Sequence, residues 1–346
     1  MKKEKLVVLF GAICLILVTV MGLSPLLALS AERPKSVSLA SAGEGTSQFA
    51  VHAGMTTLIT KYVGIKAVPE ASSVGGKTLH LLHNKEVELA SSTNHAAHDA
   101  ARGLGQFKKS GKLNFRLLSG GMIFSFVMTT RADSGVRSMM DLKGKKVQAT
   151  HPGNITFTKA ADFFLEAEAM SRANIKSLEF FGSRTIAPAL KEKRTVASIT
   201  GVSTRAVPGW MQKLNLEVPM YLFAPAKEKI ESLLPRYPYF LMNPISARVY
   251  GKMIENKDLP TIGTGMSLYC RTDLPEDLAY EMMRAIFDHK DELHTFHKSA
   301  VQWTKDLLRK PVAPYHPGAI KYYKEKGLWT AETEKTQRQL LAELTP

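Results

Sequence analysis

The feature that most constrains the fold is a repeated unit in which a short apolar strand leads through a small-residue turn into a helical pattern. The first units have strands at 37–42, 65–68 and 87–91, and their helices follow at 49–62, 77–84 and 95–102. This alternation is typical of an α/β domain with a mainly parallel sheet. Ligands of such domains bind beyond the carboxyl ends of the strands, so we expect the site in the turns.

The rest of the chain continues the pattern. The predicted strands are 113–118, 124–129, 147–150, 178–181, 195–199 and 266–270, and the predicted helices are 156–169, 186–193 and a long one at 275–298. Residues 233–244 are rich in Pro and Tyr and are predicted to be irregular. A length of 346 residues suggests two domains. Because no Gly/Ser linker separates them, we expect the chain to cross between the domains more than once.

The N-terminal segment predicts export. Lys2, Lys3 and Lys5 precede an uncharged, largely apolar stretch that ends in small residues at 28–31. This is the plan of a secretory signal peptide, which we expect to span residues 1–31 and to be cleaved near Ser30 or Ala31. An uncleaved membrane anchor is the alternative. Export predicts a periplasmic protein.

Charge and motifs narrow the function. The chain has a formal net charge of +15, yet its basic residues are scattered and no nucleic-acid motif accompanies them, so small anions are the expected partners and nucleic acid is not. Residues 71–78 are one residue short of a phosphate-binding P-loop, because Ala71 replaces its first glycine. No Gly-x-Ser-x-Gly elbow or paired carboxylates suggest catalysis. We therefore expect no enzyme activity and no cofactor.

Three His-x-x-His pairs, at 80/83, 95/98 and 294/297, place two imidazoles on one helix face. Such pairs could ligate a metal. None has the Glu of a His-Glu-x-x-His motif. We interpret them as surface histidines and expect no metal site.

The turns after the strands supply the candidate ligand-binding residues, because helix N-termini offer backbone N–H groups to anions. Hydroxyl and amide side chains there would add donors. The candidates are Gly45, Thr46, Ser47, Gln48, Ser73, Val74, Thr93, Asn94, His151, Gly153, Asn154 and Thr156, with Arg184 and Arg194 for a second anionic group.

Two segments carry a family resemblance. Residues 131–147 read RADSGVRSMMDLKGKKV and resemble the segment where extracytoplasmic solute-binding proteins enter their second domain. Residues 314–327 read PYHPGAIKYYKEKG and resemble the C-terminal signature of the TAXI family, the immunogenic-protein-like solute receptors of TRAP transporters. The chain departs from that family at 47–49, where Ser-Gln-Phe replaces further glycines and a Tyr pair, and at 193–197, where the family's Asp is missing and Lys193 and Arg194 are present. That change favours a more anionic ligand.

The resemblance implies a type II periplasmic binding-protein fold, with two α/β lobes joined by a hinge around a ligand cleft. It implies a first lobe at 32–128, a second lobe at 129–265, and a return to the first lobe with C-terminal helices at 266–346. The implied function is capture of a small carboxylate, such as a 2-oxoacid or amino-acid-like compound, by a monomer that delivers it to TRAP permease subunits in the membrane. Two alternatives remain: a periplasmic sensor that presents its ligand to a receptor, and an enzyme on the same fold.

Overall fold

The computed structural model describes residues 32–44, 46–72, 76–180, 182–304 and 311–344. The predicted signal peptide at 1–31 lies outside the described residues. Strands and helices alternate through the described part, as the repeated units predict. No helix in these ranges is both long and apolar enough to cross a membrane.

The first half of the sheet is built on three parallel strands. They are β1 (Ser36–Ser41), β2 (Lys66–Ala71) and β3 (Leu89–Thr93), with β1 in the middle. We call this part lobe I. Its strands are followed by α1 (Ser47–Val63), α2 (Gly76–His83) and α3 (Asn94–Arg102). All three helices begin at the carboxyl ends of the strands, as the sequence predicts.

The second half repeats this arrangement. Strands β5 (Lys146–Thr150), β6 (Lys176–Glu179) and β7 (Ala197–Val202) are parallel, and β5 lies between the other two. We call this part lobe II. Helix α4 (Ile155–Ala167) follows β5, and α5 (Ser183–Lys191) follows β6.

One strand joins the lobes, and here the sequence-based prediction was wrong. The two strands predicted at 113–118 and 124–129 are a single strand, β4 (Arg116–Arg131). The Ser119–Gly121 segment between the two predicted strands accommodates register shifts against the antiparallel strand β10 (Ile262–Cys270). The amino-terminal part of β4 pairs with β10, and its carboxyl-terminal part pairs with β7.

The described strands form one sheet with the order β2-β1-β3-β10-β4-β7-β5-β6. Two further strands lie off this path: β8 (Met220–Phe223) pairs with β4, and β9 (Leu241–Met242) pairs with β10. The lobe boundaries expected at 128 and 265 fall inside β4 and β10. The chain therefore passes between the lobes within strands and not through linkers.

The remaining helices cover the sheet. They are α6 (Gly209–Glu217), α7 (Lys227–Leu233), α8 (Ala247–Tyr250), α9 (Glu276–Phe287), α10 (Lys290–Phe296), α11 (Val301–Thr304), α12 (Pro317–Glu325) and α13 (Ala331–Leu344). The single long helix predicted at 275–298 is interrupted after Phe287. Tyr322 donates a hydrogen bond to Asp288 at 3.0 Å, and His289 stacks on Tyr62, so tertiary contacts stabilise the break.

The C-terminal signature segment is structural in this fold. His316 caps α12 by accepting a hydrogen bond from the Gly318 N–H at 3.2 Å, and its other ring nitrogen lies 2.9 Å from the Leu274 carbonyl. A Cβ atom on Gly318 would lie 2.3 Å from the Glu276 carbonyl oxygen, so only glycine lets α12 approach α9 this closely. Burial lowers the pKa of His316 to about 4.

Candidate functional site

The carboxyl ends of the strands in the two lobes face each other, and one contact shows this directly. Thr93, the N-cap of α3 in lobe I, has its Oγ1 2.8 Å from Oγ1 of Thr156 in the first turn of α4 in lobe II. Both side chains are buried. The structure therefore brings these two predicted site residues together, and their hydroxyl groups bond to each other across the cleft.

His95 extends this contact within lobe I. Its Nδ1 lies 3.2 Å from Thr156 Oγ1, and its Nε2 lies 3.3 Å from Oδ2 of Asp99. The ring packs on Tyr239, with 4.5 Å between the centroids. Burial would raise the pKa of Asp99, but hydrogen bonds from His95 and His98 hold it below its ordinary value. Asp99 is thus ionised, and the His95 ring bridges its carboxylate and the hydroxyl group of Thr156.

The start of α1 forms the edge of the cleft in lobe I. Thr46 is exposed and caps the helix, since its Oγ1 accepts from the Phe49 N–H at 3.1 Å. Ser47 is also exposed. Gln48 is buried and donates through Nε2 to Ser91 Oγ at 3.1 Å. Two of these three predicted site residues are therefore available to a ligand, while Gln48 holds α1 against β3.

A buried polar pair lies behind this edge, and sequence reasoning missed it. His52 on α1 has its Nδ1 2.6 Å from Oγ of Ser41, the last residue of β1. The ring packs edge-on against Trp303 at a centroid distance of 4.8 Å. Burial lowers the pKa of His52 to about 3, so the imidazole is neutral. No spacing in the sequence links these three positions.

Asn94 bonds to strand β10. It is buried, and its Oδ1 accepts from Ser267 Oγ on β10 at 2.8 Å. A Cβ atom on Gly265 would lie 2.9 Å from Asn94 Nδ2. This predicted site residue therefore fixes α3 against β10.

The opposing edge in lobe II begins with the turn after β5. Asn154 caps α4 by accepting from the Thr156 N–H at 3.2 Å, and its own N–H donates to His151 Nδ1 at 3.0 Å. Gly153 is exposed at the tip of the turn. The partly exposed His151 ring packs against Phe180, and burial lowers its pKa.

The two predicted arginines occupy opposite edges of lobe II. Arg184 is exposed in the first turn of α5, which has Gly182 at its N-cap and no side-chain cap. It therefore lies at the carboxyl edge of the sheet, with the other helix starts. Arg194 precedes β7 at the amino edge and pairs with Glu192 at 2.6 Å. The structure does not bring Arg194 together with the other candidates.

Electrostatics favour an anion at this cleft. The first turns of α1, α3, α4 and α5 contain no Asp or Glu. Among the described helices, α7, α9, α10 and α13 have acidic residues in the first turn, while α2, α6, α8, α11 and α12 also lack them. Acidic side chains stabilise helix N-termini, so their omission where these helix starts converge leaves the positive ends of the dipoles available to a ligand.

Three predicted site residues, Gly45, Ser73 and Val74, lie outside the described residues. In the described part of the P-loop-like segment, Thr78 is buried and donates to the Ser91 carbonyl at 3.0 Å.

The His-x-x-His pairs have protein partners. His83 accepts from the Asn114 N–H at 3.1 Å, and His294 lies 2.8 Å from Thr304 Oγ1. His95 and His98 both contact Asp99. The interpretation as surface histidines was wrong for His95, which is buried and packs on Tyr239. Within the described ranges, no group of three or more His, Cys, Asp or Glu side chains is arranged to hold a metal ion.

Solved structures share the fold. A Xanthomonas citri protein solved with bound ATP superposes with a TM-score of 0.51 at 10% identity, covering 90% of this chain and all of that one (100%). A binding-protein component of an ABC phosphonate transporter from Pseudomonas aeruginosa gives a TM-score of 0.50 at 12% identity, covering 90% of this chain and 96% of that one. At these identities the likeness shows the fold alone, which is the two-lobed periplasmic binding-protein fold.

The family match covers both lobes. Residues 39–327 match the NMT1-like family, a span that runs from β1 through the end of α12. More than half of the chain lies within this match, so the chain belongs to the NMT1-like family.

Proposed function

We propose that this protein is a periplasmic solute-binding receptor that captures a small organic anion between its lobes and delivers it to a membrane permease. The observation that carries this proposal is the convergence of helix starts without acidic residues, with Thr46, Ser47 and Arg184 exposed beside them. Backbone N–H groups and hydroxyls would hold the anionic group, as they do at other helix N-termini. Binding itself needs no covalent chemistry.

The binding-protein fold supports the transport role, because the Pseudomonas neighbour is named as part of a phosphonate transporter. We further propose that the permease is of the TRAP type, on the resemblance of residues 131–147 and 314–327 to the TAXI family. Export follows from the predicted signal peptide at 1–31. We also propose that the boundaries between the two lobes lie near residues 128 and 265.

A thermal-shift screen tests the anion preference. The probes are acetate, pyruvate, L-glutamate, methanesulfonate and methylphosphonate, with acetamide and ethylammonium as the neutral and cationic controls. A ligand at about 100 times its Kd stabilises the folded protein by ~2.7 kcal/mol, which raises Tm measurably. We expect at least one anion to do so. Stabilisation by ethylammonium or acetamide and by none of the anions would contradict the proposal.

A further inference from the structure

Strand β4 is uncovered where it passes between the lobes. Interior strands paired on both edges are normally buried by the helices on their faces. In β4 the partly exposed residues are the two ends and the consecutive trio Met122, Ile123 and Phe124. Ile123 and Phe124 pair regularly with Gly265 and Thr264, so their side chains point to opposite faces of the strand and each face is partly exposed here. Phe124 lies on the face toward the start of α4, because its ring contacts Phe157 there, and this face forms an apolar floor between the lobes.

An aromatic surface continues from this floor into lobe II. The ring of Phe124 is roughly parallel to that of Phe157 in the first turn of α4, with 6.0 Å between centroids. Phe157 is also partly exposed. A Cβ atom on Gly201 of β7 would lie 2.9 Å from the Phe157 ring and 3.2 Å from the Phe124 ring. Glycine at 201 thus makes room for both rings over the end of β7.

The same surface extends to the turn after β5. The Phe157 ring lies 6.1 Å from Phe180 and 5.5 Å from His151. His151 accepts the Asn154 N–H that organises the start of α4. The aromatic surface and the helix N-terminus are therefore neighbours, within reach of one small molecule.

The cleft consequently has two walls of different chemistry. The lobe I edge carries the hydroxyls of Thr46 and Ser47, while the floor and the lobe II wall carry Phe124 and Phe157. A solute with only polar groups, such as a short dicarboxylate, would leave the apolar surface in contact with water or with its own polar atoms. An anion with a ring or a compact hydrocarbon group would match both walls.

We propose that the solute is an organic anion that carries an aromatic or apolar group, with this group packed on Phe124 and Phe157 and the anionic group at the helix starts. The inference rests on the proposed function and narrows its ligand class. It departs from the small 2-oxoacid or amino-acid-like compound that the family resemblance implies.

Matched ligand pairs test it by isothermal titration calorimetry. Each pair shares an anionic group and differs by a phenyl group: pyruvate and phenylpyruvate, methanesulfonate and benzenesulfonate, methylphosphonate and phenylphosphonate. In the pair or pairs that bind, we expect the phenyl member to bind at least tenfold more tightly. Equal or weaker binding of the phenyl member overturns the inference and leaves the anion receptor standing. If none of the anions binds and a neutral or cationic probe does, both this inference and the proposed anion receptor are overturned.

Variants locate the apolar contact. Phe157→Leu and Phe124→Leu each keep an apolar side chain and remove the ring, so at least one is expected to fold. We expect either substitution to reduce the advantage of the phenyl ligand over its methyl partner to about threefold or less. Leu216→Ala is the control, because Leu216 is 88% exposed on α6 and should leave the ratio unchanged. An unchanged ratio in a folded Phe variant places the phenyl group elsewhere and overturns the assignment.

Discussion

The hydroxyl oxygens of Thr93 and Thr156 lie 2.8 Å apart and connect the start of α3 in lobe I to the start of α4 in lobe II. Both side chains are fully buried, and His95 contributes a second bond to the same hydroxyl of Thr156. This contact between side chains joins the two helix starts directly, so we expect it to favour the arrangement in which they lie close together.

Thr156→Val is expected to favour the open arrangement. Valine keeps the shape and removes the bonds to Thr93 and His95, each of which contributes about 0.5–1.5 kcal/mol. Together the two bonds contribute about 1–3 kcal/mol, so the closing equilibrium should shift by about 5- to 150-fold toward open. Small-angle scattering should then give a larger radius of gyration than wild type. Thr57→Val is the control, since the exposed Thr57 hydroxyl bonds to the Ala53 carbonyl within α1. A radius of gyration that is the same in Thr156→Val and wild type would contradict the role of the Thr93–Thr156 contact.

Arg184 and Arg194 form a matched pair for testing which edge of lobe II binds the anion. Arg184→Gln removes a cation beside the uncapped start of α5 and is expected to weaken the best anion of the screen roughly fivefold, because exposed charges contribute about 1 kcal/mol. Arg194→Gln removes the same charge from the opposite edge and should leave affinity unchanged. Isothermal titration calorimetry measures the anion affinity of both variants. Equal losses of affinity would indicate a general effect of net charge and would contradict a site at the Arg184 edge.

Stability is expected to fall as the pH drops below the ordinary pKa of histidine. Burial lowers the pKa of His52 to about 3 and that of His316 to about 4, so the unfolded chain binds more protons than the folded chain below about pH 6.5. The two histidines stabilise the fold above this pH, and that contribution is lost as the pH falls toward the folded-state values. At about pH 5 each should lower the free energy of unfolding by about 2 kcal/mol.

Urea unfolding between about pH 7.5 and about pH 5 measures this effect. His316→Asn keeps an N-cap side chain and removes one titrating group, so the pH dependence should decrease by about half. His83→Gln, at an exposed histidine, is the control. A pH dependence that is the same in His316→Asn and wild type would exclude His316 as a source.

Gly318→Ala tests the structural role of the C-terminal signature. The added Cβ would lie 2.3 Å from the Glu276 carbonyl oxygen, which belongs to the backbone, so α12 must move away from α9. We expect the free energy of unfolding to fall by about 3 kcal/mol. Gly209→Ala, where nothing lies within 4 Å of the new Cβ, should change it little or raise it by about 0.5–1 kcal/mol. Equal Tm values for the two variants would contradict this packing role.

The periodicity of the sequence predicts most of the fold, because strand, turn and helix are each specified within about ten residues. The exceptions depend on tertiary contacts. The continuity of β4 depends on its pairing with β10, and the break after Phe287 depends on Tyr322 and Tyr62. Local patterns carry no information about such partners.

The candidate site was predicted in part. The turns place Thr46, Ser47 and Arg184 at the expected edge, since a residue that follows a parallel strand must lie there. Gln48 and Asn94 share those turns but bond to Ser91 and Ser267 instead. The apolar trio of β4 could not be found from the sequence, because Met-Ile-Phe reads as an ordinary buried strand until the gap between the lobes is known.

The place of β10 in the sheet has a consequence for how the chain reaches this structure. Strand β10 lies between β3 and β4, and the hydrogen bond from Ser267 on β10 to Asn94 joins residues 173 positions apart. During synthesis, β3 therefore lacks its neighbour on the β4 side until residues 262–270 have been made, while β7 of lobe II already has both of its neighbours, β4 and β5. Lobe II can acquire its pairing first, and the N-terminal part of the chain becomes native last. A chain truncated before residue 262 should accordingly show amide-exchange protection in β5, β6 and β7 and little in β1, β2 and β3.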